Sequence, residues 1–315
     1  MDNSYERYEE PRVRIAASTG MLWQADLVEA INILAKLGYD GVDLSPHHLL
    51  ATANDLEVQA AAQQLMNYGL PCVTLTTDVE GFATQSDAQN ETQIGRFARY
   101  LDIAQQLNCY LLQVQPGAPL HGGPMREDHW LRAAHYLREC CDLALGEGCE
   151  VLVPTGPGLT QTVDGTLYLI DLVNRPNLGV KYNPGAIAAT EQRYGVEALA
   201  RLGGLIFVVE TTDVLLKPEK TPRATLLGEG DIDYQGIVRQ LVRSGYDGYI
   251  TTACAVPGGS TAIASPALGD DEWADKPPAD GALDDMIPAE RPSAIAIETA
   301  RHELAALRQL LDETF

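Results

Sequence analysis

The chain has 315 residues, 45% of them hydrophobic, and a formal charge of −22 from 44 acidic and 22 basic side chains. That length suffices for one large core, and so strong a negative charge repels phosphate backbones, which argues against a nucleic-acid partner. No apolar run approaches the roughly 20 residues of a membrane span. The acidic start MDNSYERYEE has neither the basic nor the apolar stretch of a signal peptide, so a cytoplasmic protein without a membrane partner is expected.

Eight strands are predicted, at 13–18, 41–45, 71–77, 109–115, 150–154, 178–183, 205–211 and 248–253. Helical periodicity fills the intervals. Leu27, Ile31 and Leu34 mark the first stripe, then Ile94, Phe97 and Leu101, then Leu131, Ala134, Cys141 and Leu145. Ile297, Ala300, Leu304, Leu307 and Leu311 form the last. Near the two ends, LGYDGVDLS (37–45) and SGYDGYITT (244–252) repeat one design: a helix closing on Gly, an Asp-Gly turn, and a β-rich run. Strict alternation of strand and helix predicts a parallel sheet, and eight units predict a single-domain (β/α)8 TIM barrel over residues 1–315. A doubly wound open sheet is the alternative, but no GxGxxG opens a helix after the first strand.

The stretch 255–292 breaks the pattern: it is rich in Gly, Pro, Ala, Asp and Glu, with Trp273, Met286 and Ile287 as its large apolar anchors. A loop this long after the last strand lies on the face where barrel active sites form. It is expected to be a lid, a homodimer contact or an acidic solvated loop. Six cysteines show no CxxC pair, and Cys72, Cys109 and Cys149 sit where strands begin, as small buried hydrophobes do. There is no GxSxG, P-loop or HExxH motif.

The segment LLGEGDIDYQGIVRQLVRSGYDGYITT (226–252) resembles the closing quarter of the xylose-isomerase-like barrels, the sugar phosphate isomerase/epimerase superfamily. The opening third is similar too. The resemblance implies a TIM barrel acting on a sugar-like or keto-polyol small molecule. It also implies a divalent metal held by Glu after strand 5, Asp after strand 6, His at strand 7 and Glu after strand 8. This chain offers Pro154, Asn183, Val208 with Glu210, and Ala253 at those places. No metal and no cofactor are therefore expected, since Pro and Ala cannot ligate and neutral Asn is a weak donor for a dication.

What remains is read as follows. If Asn183 faces the barrel interior, alternation turns Lys181 inward too, and Glu210 on the next strand is its counter-ion. Either the two form a structural ion pair, or they are catalytic, with burial depressing the lysine pKa enough for base or Schiff-base chemistry. Asn183, Gln115, Asp78, His47, Tyr182 and Arg223 are the expected substrate-binding groups. Of the adjacent His47 and His48, one is expected to point inward. Asp231 is read as the cap of the helix that follows it. The functional expectation is a metal-independent isomerase, epimerase or lyase. The alternative is a catalytically inactive barrel that binds a ligand or partners an active enzyme.

Overall fold

A computed structural model of the chain describes residues 13–117, 125–216, 222–253 and 294–314. The expected loop at 255–292, with Trp273, Met286 and Ile287, lies outside the described residues, as does Cys254. In chain order the elements are β1 (Arg14–Ser18), a 3-10 turn (Thr19–Leu22), α1 (Leu27–Leu37), β2 (Gly41–Leu44), α2 (Asp55–Tyr68), β3 (Cys72–Glu80) and α3 (Asp87–Leu107). There follow β4 (Leu111–Gln115), α4 (Glu127–Gly146), β5 (Glu150–Pro154), α5 (Val163–Val173), β6 (Leu178–Tyr182), α6 (Pro184–Ala188), α7 (Val196–Leu202) and β7 (Ile206–Thr211). A small hairpin of β8 (Asp213–Leu215) and β9 (Arg223–Thr225) precedes α8 (Tyr234–Arg243), β10 (Tyr249–Thr252) and α9 (Ala294–Asp312).

The first units repeat because α1, α2 and α3 are each started by an oxygen-bearing cap and stopped by a residue at positive φ. Asp26, Asn54 and Ser86 accept N–H groups of the first turns of α1, α2 and α3. Gly38, at φ 94°, ends α1 and returns its N–H to Leu34 and Ala35 before the chain enters β2. The cap of α8 is Asp233, whose carboxylate accepts from the Gly236 N–H, and not Asp231. Asp231 instead accepts from the Leu216 N–H at the hairpin.

β1 to β7 and β10 close into a barrel in which every strand pair is parallel and β10 seals the gap between β7 and β1. Closure excludes the open doubly wound sheet. The helices bury one face on the barrel wall. On α4 that face is Ala133, Ala134, Leu137, Cys140, Cys141 and Ala144, whereas Leu131 and Leu145 are exposed. The expected stripe was thus rotated, because Leu131 and Leu145 outweighed the smaller residues that pack. Cys72, Cys109, Cys140, Cys141 and Cys149 are free, buried thiols.

Inside the barrel, side chains stack in layers drawn from alternate strands. Ala16, Val73, Leu152 and Val208, from β1, β3, β5 and β7, form an apolar layer of their own. The next inward positions on the intervening strands are Asp43, Gln113, Lys181 and Thr251, all buried. Two register shifts set this arrangement. Val180 pairs with Ile206 but Lys181 with Val208, so Phe207 is an extra residue in β7. Likewise Val42 pairs with Cys72 but Asp43 with Thr74, so Val73 is extra in β3. Each bulge resets the alternation downstream of it.

Asp213 gathers much of the described part of the loop from β7 to α8. Asp213 Oδ2 accepts the N–H groups of Gly228 (2.8 Å) and Gly230 (3.0 Å), and Oδ1 accepts those of Val214 (2.9 Å) and Ile232 (3.3 Å). A Cβ at Gly230 would lie 2.0 Å from Asp213 Oδ1, so only glycine admits this approach. Asp213→Ala leaves these donors without their acceptor, and is expected to lower unfolding free energy by about 2–3 kcal/mol. Denaturant titration should show this, and Asp213→Asn, which keeps one oxygen acceptor, should lose less.

Candidate active site

At the C-terminal end of the lumen the polar side chains form one connected cluster. Lys181, on β6, reaches across the barrel to Asp43 on β2, with Nζ 2.5 Å from Oδ2. The same ammonium lies 2.6 Å from Glu210 Oε2 on the adjacent β7. The clamp is extended at both ends. Thr76 Oγ1 donates to Asp43 Oδ1 at 2.8 Å. Asn183 Nδ2 donates to Glu210 Oε1 and to Thr212 Oγ1, each at 3.0 Å. Lys181 and Asp43 are 2% and 1% exposed, whereas Glu210 is 14% exposed and is the member that opens toward the mouth.

The electrostatics follow from this enclosure. Burial by itself lowers the Lys181 pKa, but the Asp43 and Glu210 carboxylates outweigh it and leave the amine above its ordinary value. Burial raises the Asp43 pKa, and the facing ammonium opposes the rise without cancelling it. This direction is opposite to the expected depression of the lysine pKa for base or imine-forming chemistry, and the two facing carboxylates are the cause. The expected Lys181–Glu210 pairing is present. Asp43 is the further partner that alternation along β6 does not reveal. Its signal was available, since β2 and β6 stand opposite in an eight-stranded barrel and Asp43 is the one charge in the strand Gly41–Leu44.

The expected substrate-binding residues divide sharply. Gln115 sits half-buried at the end of β4, within the ring of strand ends. Asn183 is in the site, but its amide is spent: Nδ2 holds Glu210 and Thr212, and Oδ1 accepts the Ala186 N–H that starts α6. It positions Glu210 instead of offering itself to a ligand. Asp78 leaves the lumen. β3 breaks register with β4 between Thr76 and Glu80, and within that break Asp78 turns out to α3, paired with Arg96 and accepting from Tyr100 Oη at 2.9 Å.

Tyr182 also faces outward, as alternation next to Lys181 requires, and its buried hydroxyl donates to the Tyr194 carbonyl. Arg223 is exposed on β9, in the hairpin beyond the barrel. His47 is exposed, and the histidine that points inward is His48. Its ring nitrogens lie 3.1 Å from Thr19 Oγ1 and 3.0 Å from the Ala25 carbonyl, and burial lowers its pKa. That role joins the first two βα loops.

The donor set does not fit a divalent cation. All four carboxylate oxygens of Asp43 and Glu210 are occupied by Thr76, Lys181 and Asn183, and an ammonium already fills the space between them. Pro154 faces the lumen in register with Lys181 and brings no ligand atom. Among the described residues no group of three or more His, Cys, Asp or Glu side chains could hold a metal ion. Two open concavities, of about 750 and about 470 Å³, are lined by the ends of α1 and α9 and by Arg14, Tyr39 and Tyr249. They lie at the N-terminal end of the barrel, the end that serves stability in this architecture.

Removing Lys181 leaves two carboxylates facing each other across the lumen. Lys181→Met is expected to cost about 3–5 kcal/mol near neutral pH, the usual penalty for breaking a buried pair from one side. Repulsion then raises the folded-state carboxylate pKa above its unfolded value. The variant should therefore recover stability as pH falls through the carboxylate range and lose it as pH rises. Thermal melts across that range should show this trend, and adding Asp43→Asn should restore part of the loss.

The sequence profile of the xylose isomerase-like TIM barrel matches residues 31–272. Among curated protein sequences none matches. Several solved structures share the fold at low identity. D-psicose 3-epimerase with D-tagatose, from Clostridium cellulolyticum H10, superposes with a TM-score of 0.73 at 14% identity, covering 95% of this chain and 99% of that one. D-allulose 3-epimerase from Methylomonas sp. in complex with D-allulose gives 0.71 at 17% identity, covering 95% and 97%. The IOLI protein with a bound zinc atom gives 0.72 at 14% identity, covering 96% and 99%. The closed barrel and the extent of the profile match together establish that this chain belongs to the xylose isomerase-like TIM barrel family.

Proposed function

We propose that the protein is a sugar isomerase- or epimerase-like enzyme that works on a keto sugar or related polyol without a divalent metal. The observation that carries this reading is the Lys181 clamp. A charged amine and a partly accessible carboxylate stand together at the C-terminal strand ends, where barrel enzymes do their chemistry. Lys181 and Glu210 are the proposed catalytic residues. Gln115, at the rim, is the proposed donor and acceptor for a substrate hydroxyl or carbonyl. Family membership and the sugars named in the D-tagatose and D-allulose structures support the substrate class.

One observation favours a second reading, a catalytically inactive barrel kept as a binding module or partner. Each carboxylate oxygen of the clamp is already bonded within the protein, as in a purely structural ion pair.

A panel of ketoses incubated with the protein in deuterium oxide separates the two readings. The enzyme reading expects deuterium at the carbon next to the carbonyl, unaffected by a chelator. Glu210→Gln should slow exchange by about 10²-fold or more, as for loss of a general base. No exchange with any sugar would favour the inactive barrel. Loss on chelation with recovery on adding manganese would overturn the metal-free mechanism.

A further inference from the structure

We infer that Asp43 is a positioning residue that holds Lys181 as an ammonium, so that Lys181 supplies the positive charge a metal cation would otherwise bring and Glu210 alone carries the proton. This deepens the isomerase reading above and rests on it. The geometry divides the roles. Asp43 is bonded on one oxygen to Thr76 and on the other to Lys181, which makes it the anchor of the ammonium. Glu210 is the carboxylate with access. The ammonium has three donors; two point at Asp43 and Glu210, and the third takes no partner among the described residues.

The surroundings of Lys181 leave the assignment little freedom. The titratable groups facing it are Asp43 from β2 and Glu210 from β7. β5 and β7 otherwise face it with Pro154 and Val208, which carry no charge. Nearby Thr76 and Gln113 are neutral, and their contact runs through Asp43. One carboxylate would therefore be left to offset burial if Asp43 lost its charge.

In the step this arrangement performs, the Glu210 carboxylate takes a proton from the carbon next to the substrate carbonyl. The C–H pair becomes the new C=C bond, and the carbonyl π pair moves onto oxygen. That oxyanion lies against the third N–H of Lys181. Glu210 then returns the proton to the former carbonyl carbon while the hydroxyl proton on the first carbon passes to the adjacent oxyanion, so that a carbonyl forms at the first carbon and no electrons are gained or lost overall. A neutral lysine would stabilise the oxyanion far less, which makes the Asp43 charge a condition of the step.

The chain has five lysines, so the Nζ resonances of a 15N-lysine sample can be assigned, with Lys181→Arg marking the buried one. In the full-length protein, Lys181 should keep its ammonium signature to higher pH than the other lysines. Asp43→Asn should lower its titration by about one pH unit or more, a tenfold or greater rise in the free amine at a given pH. Should Asp43→Asn fail to fold, Thr76→Val weakens the anchor without changing charge and should shift Lys181 in the same direction by less. An unchanged Lys181 titration in the variant that folds would overturn the inference. The readout needs no substrate. A shifted titration without deuterium exchange sinks the isomerase reading and leaves the charge assignment standing; exchange with an unshifted titration does the reverse.

Discussion

The whole arrangement depends on a single cation suspended in the lumen. Lys181 crosses from β6 to the opposite wall, and the two carboxylates it meets would repel one another without it. Burying three ionised groups is costly, and their mutual attraction offsets that cost only when the geometry is close and the remaining lone pairs are satisfied. Here Thr76 and Asn183 satisfy them. The apolar layer of Ala16, Val73, Leu152 and Val208 beneath excludes water from one side and makes each of these contacts stronger.

Support for the clamp extends well beyond the lumen. Glu210 is held by Asn183, Asn183 by Thr212, and Thr212 by Tyr234, whose hydroxyl accepts the Thr212 N–H and donates to its carbonyl. Gly185 brings α6 against the same segment, since a Cβ there would lie 2.0 Å from the Thr212 carbonyl oxygen. Asp213 then fixes the loop that leads to α8, and α9 joins through Glu303, which accepts the Leu227 N–H at 2.9 Å. The side chain proposed to move a proton is thus oriented by Lys181 and Asn183. Asn183 in turn is held by α6 and, through Thr212, by α8, as a preorganised site requires.

Much of the fold was legible in the sequence because strand and helix periods are local. The strand at 150–154 falls where it was expected, and the other barrel strands differ only at their ends. The hairpin of β8 and β9 was not foreseen, since its strands are too short to show alternation. The site was legible in part. Lys181 with Glu210 followed from alternation within one strand and adjacency of the next. Tyr182 could have been excluded by the same alternation, since neighbours along a strand face opposite ways. Asp78 could not, because nothing in its local sequence marks the register break around it. Asp43 required a different step, from strand number to position across a closed ring.

The extra residue at Phe207 has a consequence for how this protein can change. With Ile206 against the helices, unbroken pleating would send Glu210 outward and Val209 in; the inserted residue reverses both. Insertions and deletions in the first half of that strand would therefore swap an acid for a valine at the heart of the cavity. Descendants of this gene should tolerate many substitutions there, but almost no change in residue count.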